Sequence, residues 1–260
     1  MSKDAQHPTA RSDTRERSDT HTRSDIEITN LIKTYGKPGS PQYVRALDGL
    51  NLHIPAGQIV GLMGENGSGK STLLKILAGA LLDYEGDVLI GGERPGVHTK
   101  ALSSFLPDSS ALPAKLTAIQ AARMYSDFFS DFDQEKAMEK LRYFGVPSDR
   151  PCSSLSKGQR EKMQIAMTMA RNAQFFFLDE PISGIDPAAR EQILGGILTD
   201  LPEDATLIVS THLIHDIEPI VSHAVFMHAG KVLLSGEADA LREEHGQSLD
   251  GMFRRMYQWK

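Results

Sequence analysis

From Ile26 onward the apolar and polar positions follow two rhythms. Short apolar runs bounded by polar residues predict strands: "IEITNLI" (26–32), "LDGLNLHI" (47–54), "QIVGLM" (58–63), "GDVLI" (86–90), "SSFL" (103–106), "FFFL" (175–178), "ATLIVS" (205–210), "HAVFMH" (223–228) and "KVLLSG" (231–236). Helical spacing appears between several of them, first in "KSTLLKILAGAL" (70–81). Such alternation implies an α/β fold with a mainly parallel sheet and helices on its faces. Between about residues 110 and 171 only helical patterns occur, in "AIQAARMYSDFF", "QEKAMEKLRYFG" and "KGQREKMQIAMTMARN", so a helical subdomain is expected between two strands. At about 248–258, Leu249, Met252, Phe253, Met256 and Tyr257 line one face of a final helix, expected to pack on its own domain.

Residues 1–25 break with this pattern. They carry a near-repeat of six residues, "RSDTRE", "RSDTHT", "RSDIEI". Five cations (Lys3, Arg11, Arg15, Arg17, Arg23) face five acids (Asp4, Asp13, Glu16, Asp19, Asp25) with almost no apolar surface to bury, so a disordered tail is expected, with a docking segment as the alternative. Residues 26–260 are then one folded domain, which a chain of 260 residues with 40% hydrophobic content can support. A net charge of -6 argues against a nucleic-acid partner bound by phosphate neutralisation. The single cysteine, Cys152, fits a reducing compartment and a small side chain in a loop. No run approaches the roughly 18 apolar residues of a membrane helix, and the N-terminus has no signal-like block, so a soluble, cytosolic protein is expected.

"FFFLDEP" (175–181) sets two acids at the end of a run apolar enough to be covered on both faces, with Pro181 expected to stop the strand. Asp179 and Glu180 are either polar punctuation or chemistry placed where open α/β sheets bind ligands. "GENGSGKST" (64–72) bears on the choice. It fits G-x-x-x-x-G-K-[ST] between a predicted strand and a predicted helix, the setting of a phosphate loop. Gly64, Glu65, Asn66, Gly67, Ser68, Gly69, Lys70, Ser71 and Thr72 are the expected phosphate cradle, with Lys70 reaching the β- and γ-phosphates of a nucleotide and Ser71 ligating Mg²⁺. A dinucleotide fingerprint fails for want of its third glycine. Such a loop needs a second strand ending in an acid that holds Mg²⁺. Asp179 fits that role, and Glu180 fits a base acting on water at the γ-phosphate.

"LSKGQ" (155–159), "SGID" (183–186) and "STH" (210–212) join these motifs in an order that resembles the ABC-type ATPases over about Ile26 to Tyr257. That resemblance implies a P-loop NTPase core with a mainly parallel sheet, an antiparallel β subdomain and the inserted helical subdomain. It implies that Tyr35 stacks on adenine, that Ser156 and Gly158 close on the γ-phosphate held by an opposite subunit, and that Asp186 lies at the dimer interface. His212 would contact the γ-phosphate and help position Glu180. The chain would then be an ATP hydrolase driving a transmembrane permease, as a head-to-tail homodimer or paired with a paralogue, peripheral on the inner face of the cell membrane. "LPD", "YSDFFSDFD" and "DEPISGIDPAAR" are similar to bacterial ATPases of ABC-2-type exporters. There Tyr125, Phe128, Phe129 and Phe132 would lie near a permease docking point or form a subdomain core.

Two residues depart from the family pattern. Asp108 stands where a glutamine usually reaches Mg²⁺ and water; it can ligate the ion but donates no hydrogen bond while ionised. Lys157 replaces a signature glycine and could face the partner's phosphates, the ribose or solvent. A metal site at His212, His215 and Asp216 is a minor alternative. The competing function is a nucleotide-gated regulatory protein with slow or no hydrolysis. DNA-repair or translation ATPases fit poorly, since one phosphate loop in 260 residues leaves no room for a second unit or a coiled-coil arm.

Overall fold

The computed structural model describes residues 25–109 and 112–257. The expected tail lies outside the described residues except for Asp25, whose carboxylate takes the Ala56 N–H at 3.0 Å and meets His53 Nε2 at 3.1 Å. Among the described residues nine strands form two sheets. β1 (Ile26–Tyr35) lies between β2 (Val44–Ile54) and β4 (Glu85–Ile90), both antiparallel to it. The larger sheet runs β5 (Ser103–Leu106), β6 (Phe175–Asp179), β7 (Thr206–Thr211), β3 (Ile59–Met63), β8 (His223–His228), β9 (Lys231–Glu237). All its neighbours are parallel except β8 and β9.

β6 explains the triple phenylalanine. Because strand side chains alternate in direction, Phe175 and Phe177 enter a core with α1 (Lys70–Leu77) and the antiparallel sheet, while Phe176 and Leu178 enter a second core with the helices that follow residue 117. All four are fully buried, so each face of this strand is dry. The strand ends at Asp179, before Pro181. The turn is made by Glu180, whose φ of 51° takes the chain out of the extended region, so the proline is not what stops it.

α2 (Val97–Leu102) precedes β5, and between β5 and β6 come α3 (Ala118–Phe128), α4 (Gln134–Tyr143) and α5 (Lys157–Met169), with a 3₁₀ turn at Cys152–Ser154. Thr117, Asp133 and Ser156 cap these three helices by accepting an N–H in the first turn. The Cys152 thiol is buried 3.7 Å from Met163 Sδ, and burial pushes its pKa up. Tyr125 packs on Phe129 and Phe132 with ring centroids 5.7 and 5.4 Å apart, whereas Phe128 is exposed. α6 (Pro187–Asp200), α7 (Ile214–Ile217), α8 (Ala238–His245) and α9 (Leu249–Tyr257) complete the chain. Among the described residues no helix is long and apolar enough to cross a membrane.

The helical segment is pinned to the sheet by Arg171. Its Nε donates to both Asp131 oxygens at 2.8 and 3.0 Å, its two other nitrogens donate to the Ser103 and Ala101 carbonyls, and its guanidinium lies 3.9 Å from the Phe129 ring centroid. A lysine could neither fork across two carbonyls nor stack as a plane. We expect Arg171→Lys to lower unfolding free energy by about 3 kcal/mol, the scale of a broken buried charge pair, as read by urea denaturation.

Candidate functional site

β3, β6 and β7 end side by side, and the loops beyond them bring the candidate residues together. After Met63 the chain must pass close under its neighbours: a β-carbon on Gly64 would stand 2.5 Å from the Met227 carbonyl oxygen and 2.5 Å from Ser68 Oγ. Gly69 opens α1 at φ 105°, where a β-carbon would lie 2.6 Å from the Ala46 oxygen. Both glycines are therefore required by space. The turn places the Lys70 ammonium inside the loop, donating to the Gly64 and Glu65 carbonyls at 2.6 and 3.1 Å.

The acids converge on the same point. Ser71 Oγ donates to Asp179 Oδ1 at 3.0 Å, and Ser210 Oγ, from β7, donates to the same oxygen at 2.6 Å. Glu180 reaches Lys70 Nζ at 3.5 Å through Oε1 and His212 Nδ1 at 3.0 Å through Oε2. Its main-chain N–H is held by the Ser210 carbonyl at 3.1 Å and the Ser210 hydroxyl at 3.0 Å, which fixes a left-handed residue that is not glycine. Burial pushes the Lys70 pKa down, and the charges of Glu180 and Asp179 oppose that shift.

Among the described residues, Asp179 Oδ2 and Ser68 Oγ are buried here with no hydrogen-bond partner, while Glu180 Oε1 meets the Lys70 ammonium at 3.5 Å. An orphaned buried carboxylate oxygen is costly, and a cation beside it removes the cost. Ser71 and Asp179 thus fit a Mg²⁺ held by few protein ligands together with substrate phosphates, the mode usual for that ion. The N–H groups at the start of α1 and the Lys70 ammonium fit phosphate.

Other expected residues stand at varied distances from this centre. The Tyr35 hydroxyl is 3.5 Å from Thr72 Oγ1, the residue is 40% exposed, and Lys33 Nζ lies 5.2 Å from its ring centroid, so an aromatic side chain stands beside the loop. Asp108 lines a cavity of about 70 Å³ with Asp179, Glu180, Lys157, Glu161 and Gln164. Ser156, Gly158 and Asp186 stand at the starts of α5 and α6. Ser156 accepts the Gln159 N–H at 3.2 Å, Asp186 accepts the Ala189 N–H at 3.0 Å, and a β-carbon on Gly158 would meet only open space. The minor metal alternative is not assembled: Asp216 is 2.9 Å from Arg190 Nη1, and no group of three or more His, Cys, Asp and Glu among the described residues is set to hold an ion. Ser210 is the residue that motif reasoning passed over. It stands inside "STH", but its bonds to Asp179 and Glu180 depend on strand pairing, visible only once β6 lies beside β7.

Residues 47–183 match the family model described as ABC transporter. The thiamine import ATP-binding protein ThiQ of Vibrio parahaemolyticus is 34% identical over 212 residues, covering 78% of this chain and 90% of that protein. The lantibiotic transport ATP-binding protein SrtF of Streptococcus pyogenes is 26% identical over 216 residues, covering 82% and 91%. ABC transporter A family member 8 of Dictyostelium discoideum is 29% identical over 230 residues, 85% of this chain, and the chain spans only 27% of that relative's length. A bacterial ABC transporter cassette solved as a dimer superposes with a TM-score of 0.72 at 23% identity, covering 82% of this chain and 98% of that one, a likeness of fold. The fold is accordingly the α/β arrangement of ABC cassettes, with its mostly parallel sheet, antiparallel sheet and helices.

We expect Ser210→Ala to destabilise the protein by about 1–3 kcal/mol in urea denaturation, because it strips a buried carboxylate of one donor and leaves the Glu180 N–H with the Ser210 carbonyl but without the hydroxyl. Ser210→Thr, which keeps the hydroxyl, should recover at least half of the loss.

Proposed function

The chain belongs to the ABC transporter family, and from that premise we propose that it is the subunit that binds and hydrolyses ATP to drive a transmembrane permease. The observation that carries this reading is the meeting of Lys70, Ser71, Asp179, Glu180 and His212 at the ends of three parallel strands. In the proposed role the glycine-shaped loop and the first turn of α1 hold the phosphates by N–H groups. Lys70 exchanges its loop carbonyls for phosphate oxygens, a stronger, charge-assisted contact. Tyr35 stacks on the adenine from beside Thr72. When bound by Ser71 and Asp179, Mg²⁺ supplies charge neutralisation to the phosphates, with Asp108 as a further candidate ligand.

Glu180 is the proposed base. It takes a proton from water as the oxygen attacks the γ-phosphorus, and the bond to the bridging oxygen breaks with its electron pair leaving on ADP. His212 steadies the Glu180 carboxylate through the 3.0 Å contact to Oε2. Ser156 and Gly158, at the exposed start of α5, are proposed to close on the γ-phosphate of a second subunit placed head to tail, with Asp186 between the two. That subunit is a second copy or a paralogue. The permease is proposed to dock near exposed Phe128, while the other three rings of its cluster hold the helical segment together. Export is proposed on the likeness of "LPD", "YSDFFSDFD" and "DEPISGIDPAAR" to exporter ATPases, although one relative is named for thiamine import. In the cell the chain then sits on the inner face of the membrane through its permease.

The test is a pair of variants. Glu180→Gln should bind ATP as the wild type does while hydrolysis falls by at least about a hundredfold. Retained turnover would remove Glu180 from its role and favour a nucleotide-gated regulator. Lys70→Ala should instead weaken ATP binding itself. Light scattering of Glu180→Gln with and without Mg-ATP tests assembly: a shift from monomer to dimer supports pairing of two copies, and a monomer that binds ATP points to a paralogue.

A further inference from the structure

The phosphate loop meets the C-terminal helix through the Met227 carbonyl group. β8 pairs with β3 so that Phe226 stands opposite Met63, which brings Met227 beside Gly64. The Met227 carbonyl oxygen is what a β-carbon on Gly64 would strike at 2.5 Å. The Tyr257 hydroxyl, thirty residues on, donates to that same oxygen. It does so where the β8–β9 ladder shifts register, between Phe226 and Met227. Just beyond, Gly230 in the β8–β9 turn donates its N–H to the Ser68 carbonyl at 3.0 Å. One hairpin end therefore touches the loop near both of its ends, and Tyr257 is bonded to that hairpin.

The tyrosine is itself firmly set. Its ring stacks edge-on against His228 at 5.4 Å and lies 4.3 Å from Phe253. The start of its helix is anchored by the Glu218 carboxylate, which accepts the Leu249 N–H at 2.7 Å and the Asp250 N–H at 3.3 Å. Leu249 and Met252 are buried beneath it. Burial, with the charge of Glu65 in support, pushes the Tyr257 pKa up to about 12, so the phenol is a hydrogen-bond donor at any working pH.

We propose that Tyr257 is a positioning residue for the phosphate loop: it fixes the Met227 carbonyl against Gly64, so the C-terminal helix sets nucleotide affinity from behind the site. This inference rests on the proposed reading of the loop as the ATP site. A carbonyl relieved of its outer donor can rotate toward Gly64, where there is no spare room, and the loop must move in response.

The test compares wild type, Tyr257→Phe and Met252→Ala. Binding of trinitrophenyl-ATP gives Kd, hydrogen exchange of amides 64–70 in nucleotide-free protein reports the loop directly, and thermal unfolding monitors stability. Tyr257→Phe should raise Kd by about three- to tenfold, the worth of one hydrogen bond, raise KM more than it lowers kcat, and speed exchange in residues 64–70. Met252→Ala, which removes packing from the same helix without touching the carbonyl, should lower the melting temperature and leave Kd within about twofold. Unchanged exchange and Kd in Tyr257→Phe overturn the inference, as does a Met252→Ala variant that loses affinity equally. A wild type that binds no nucleotide overturns the reading of the site, while the exchange data still decide whether Tyr257 holds the loop.

Discussion

An ammonium group that is only 4% exposed must be met by carbonyls or charge, and in this chain the ammonium is Lys70. Two loop carbonyls and Glu180 meet it. That requirement sets the closeness of the loop to the ends of β6 and β7, since the glutamate arrives from one and the histidine that flanks it follows the other. Asp179 adds a second buried acid, which Ser71 and Ser210 satisfy on one oxygen and leave unsatisfied on the other. On the proposed reading, a phosphate and a cation would fill this arrangement. A folded state that buries one ammonium and two carboxylates around an orphaned oxygen carries a desolvation cost that charged ligands would remove.

Two dry cores make such a costly centre possible. β6 contributes alternate side chains to each, so the strand bearing both acids is clamped from both faces and cannot drift. The left-handed Glu180 is held in the same way, by two bonds to Ser210 from the adjacent strand. Strain at a functional position persists only where its surroundings over-determine it, and here the over-determination is local and identifiable.

Much of this was legible in the sequence because it follows from periodicity and spacing. The nine apolar runs are the nine strands of the described residues, and the four quoted helical stretches, 70–81 among them, are α1, α3, α4 and α5. α1 ends early, at Leu77, because Gly79 at φ 64° closes it with an N–H to the Ile76 carbonyl. α6 was not legible, since its Gly195–Gly196 pair speaks against a helix. Tertiary packing overrides that preference: a β-carbon on Gly196 would stand 2.8 Å from the Phe144 ring, so the glycine is what lets α4 and α6 touch. α2 and α7, at six and four residues, are too short to show a period. At the site, the loop and the acids were legible as motifs, whereas Ser210 required knowledge of which strands are neighbours. Tyr257 was read only as one of an apolar stripe, because its hydroxyl acts on a residue thirty positions away.

The two departures from the family pattern meet in one place. Asp108 and Lys157 line the same small cavity as Asp179, Glu180 and Glu161. Lys157 does not stand alone in solvent: its ammonium lies 3.6 Å from Glu161 and 2.7 Å from the point a β-carbon on Gly184 would occupy, next to the loop that leads to Asp186. Burial pushes the Glu161 carboxyl pKa up, Lys157 opposes that shift, and Asp108 adds to it. Four carboxyl groups thus share a cavity with one ammonium, so exchanging a neutral amide for Asp108 raises the negative charge where the proposed ion and phosphates must sit. On the proposed reading a divalent cation offsets this charge and free triphosphate does not, since the triphosphate is itself an anion. On that reading Asp108 ties nucleotide binding at this site to the metal more tightly than a glutamine would, and it leaves both proposed acids, Asp179 and Glu180, in place.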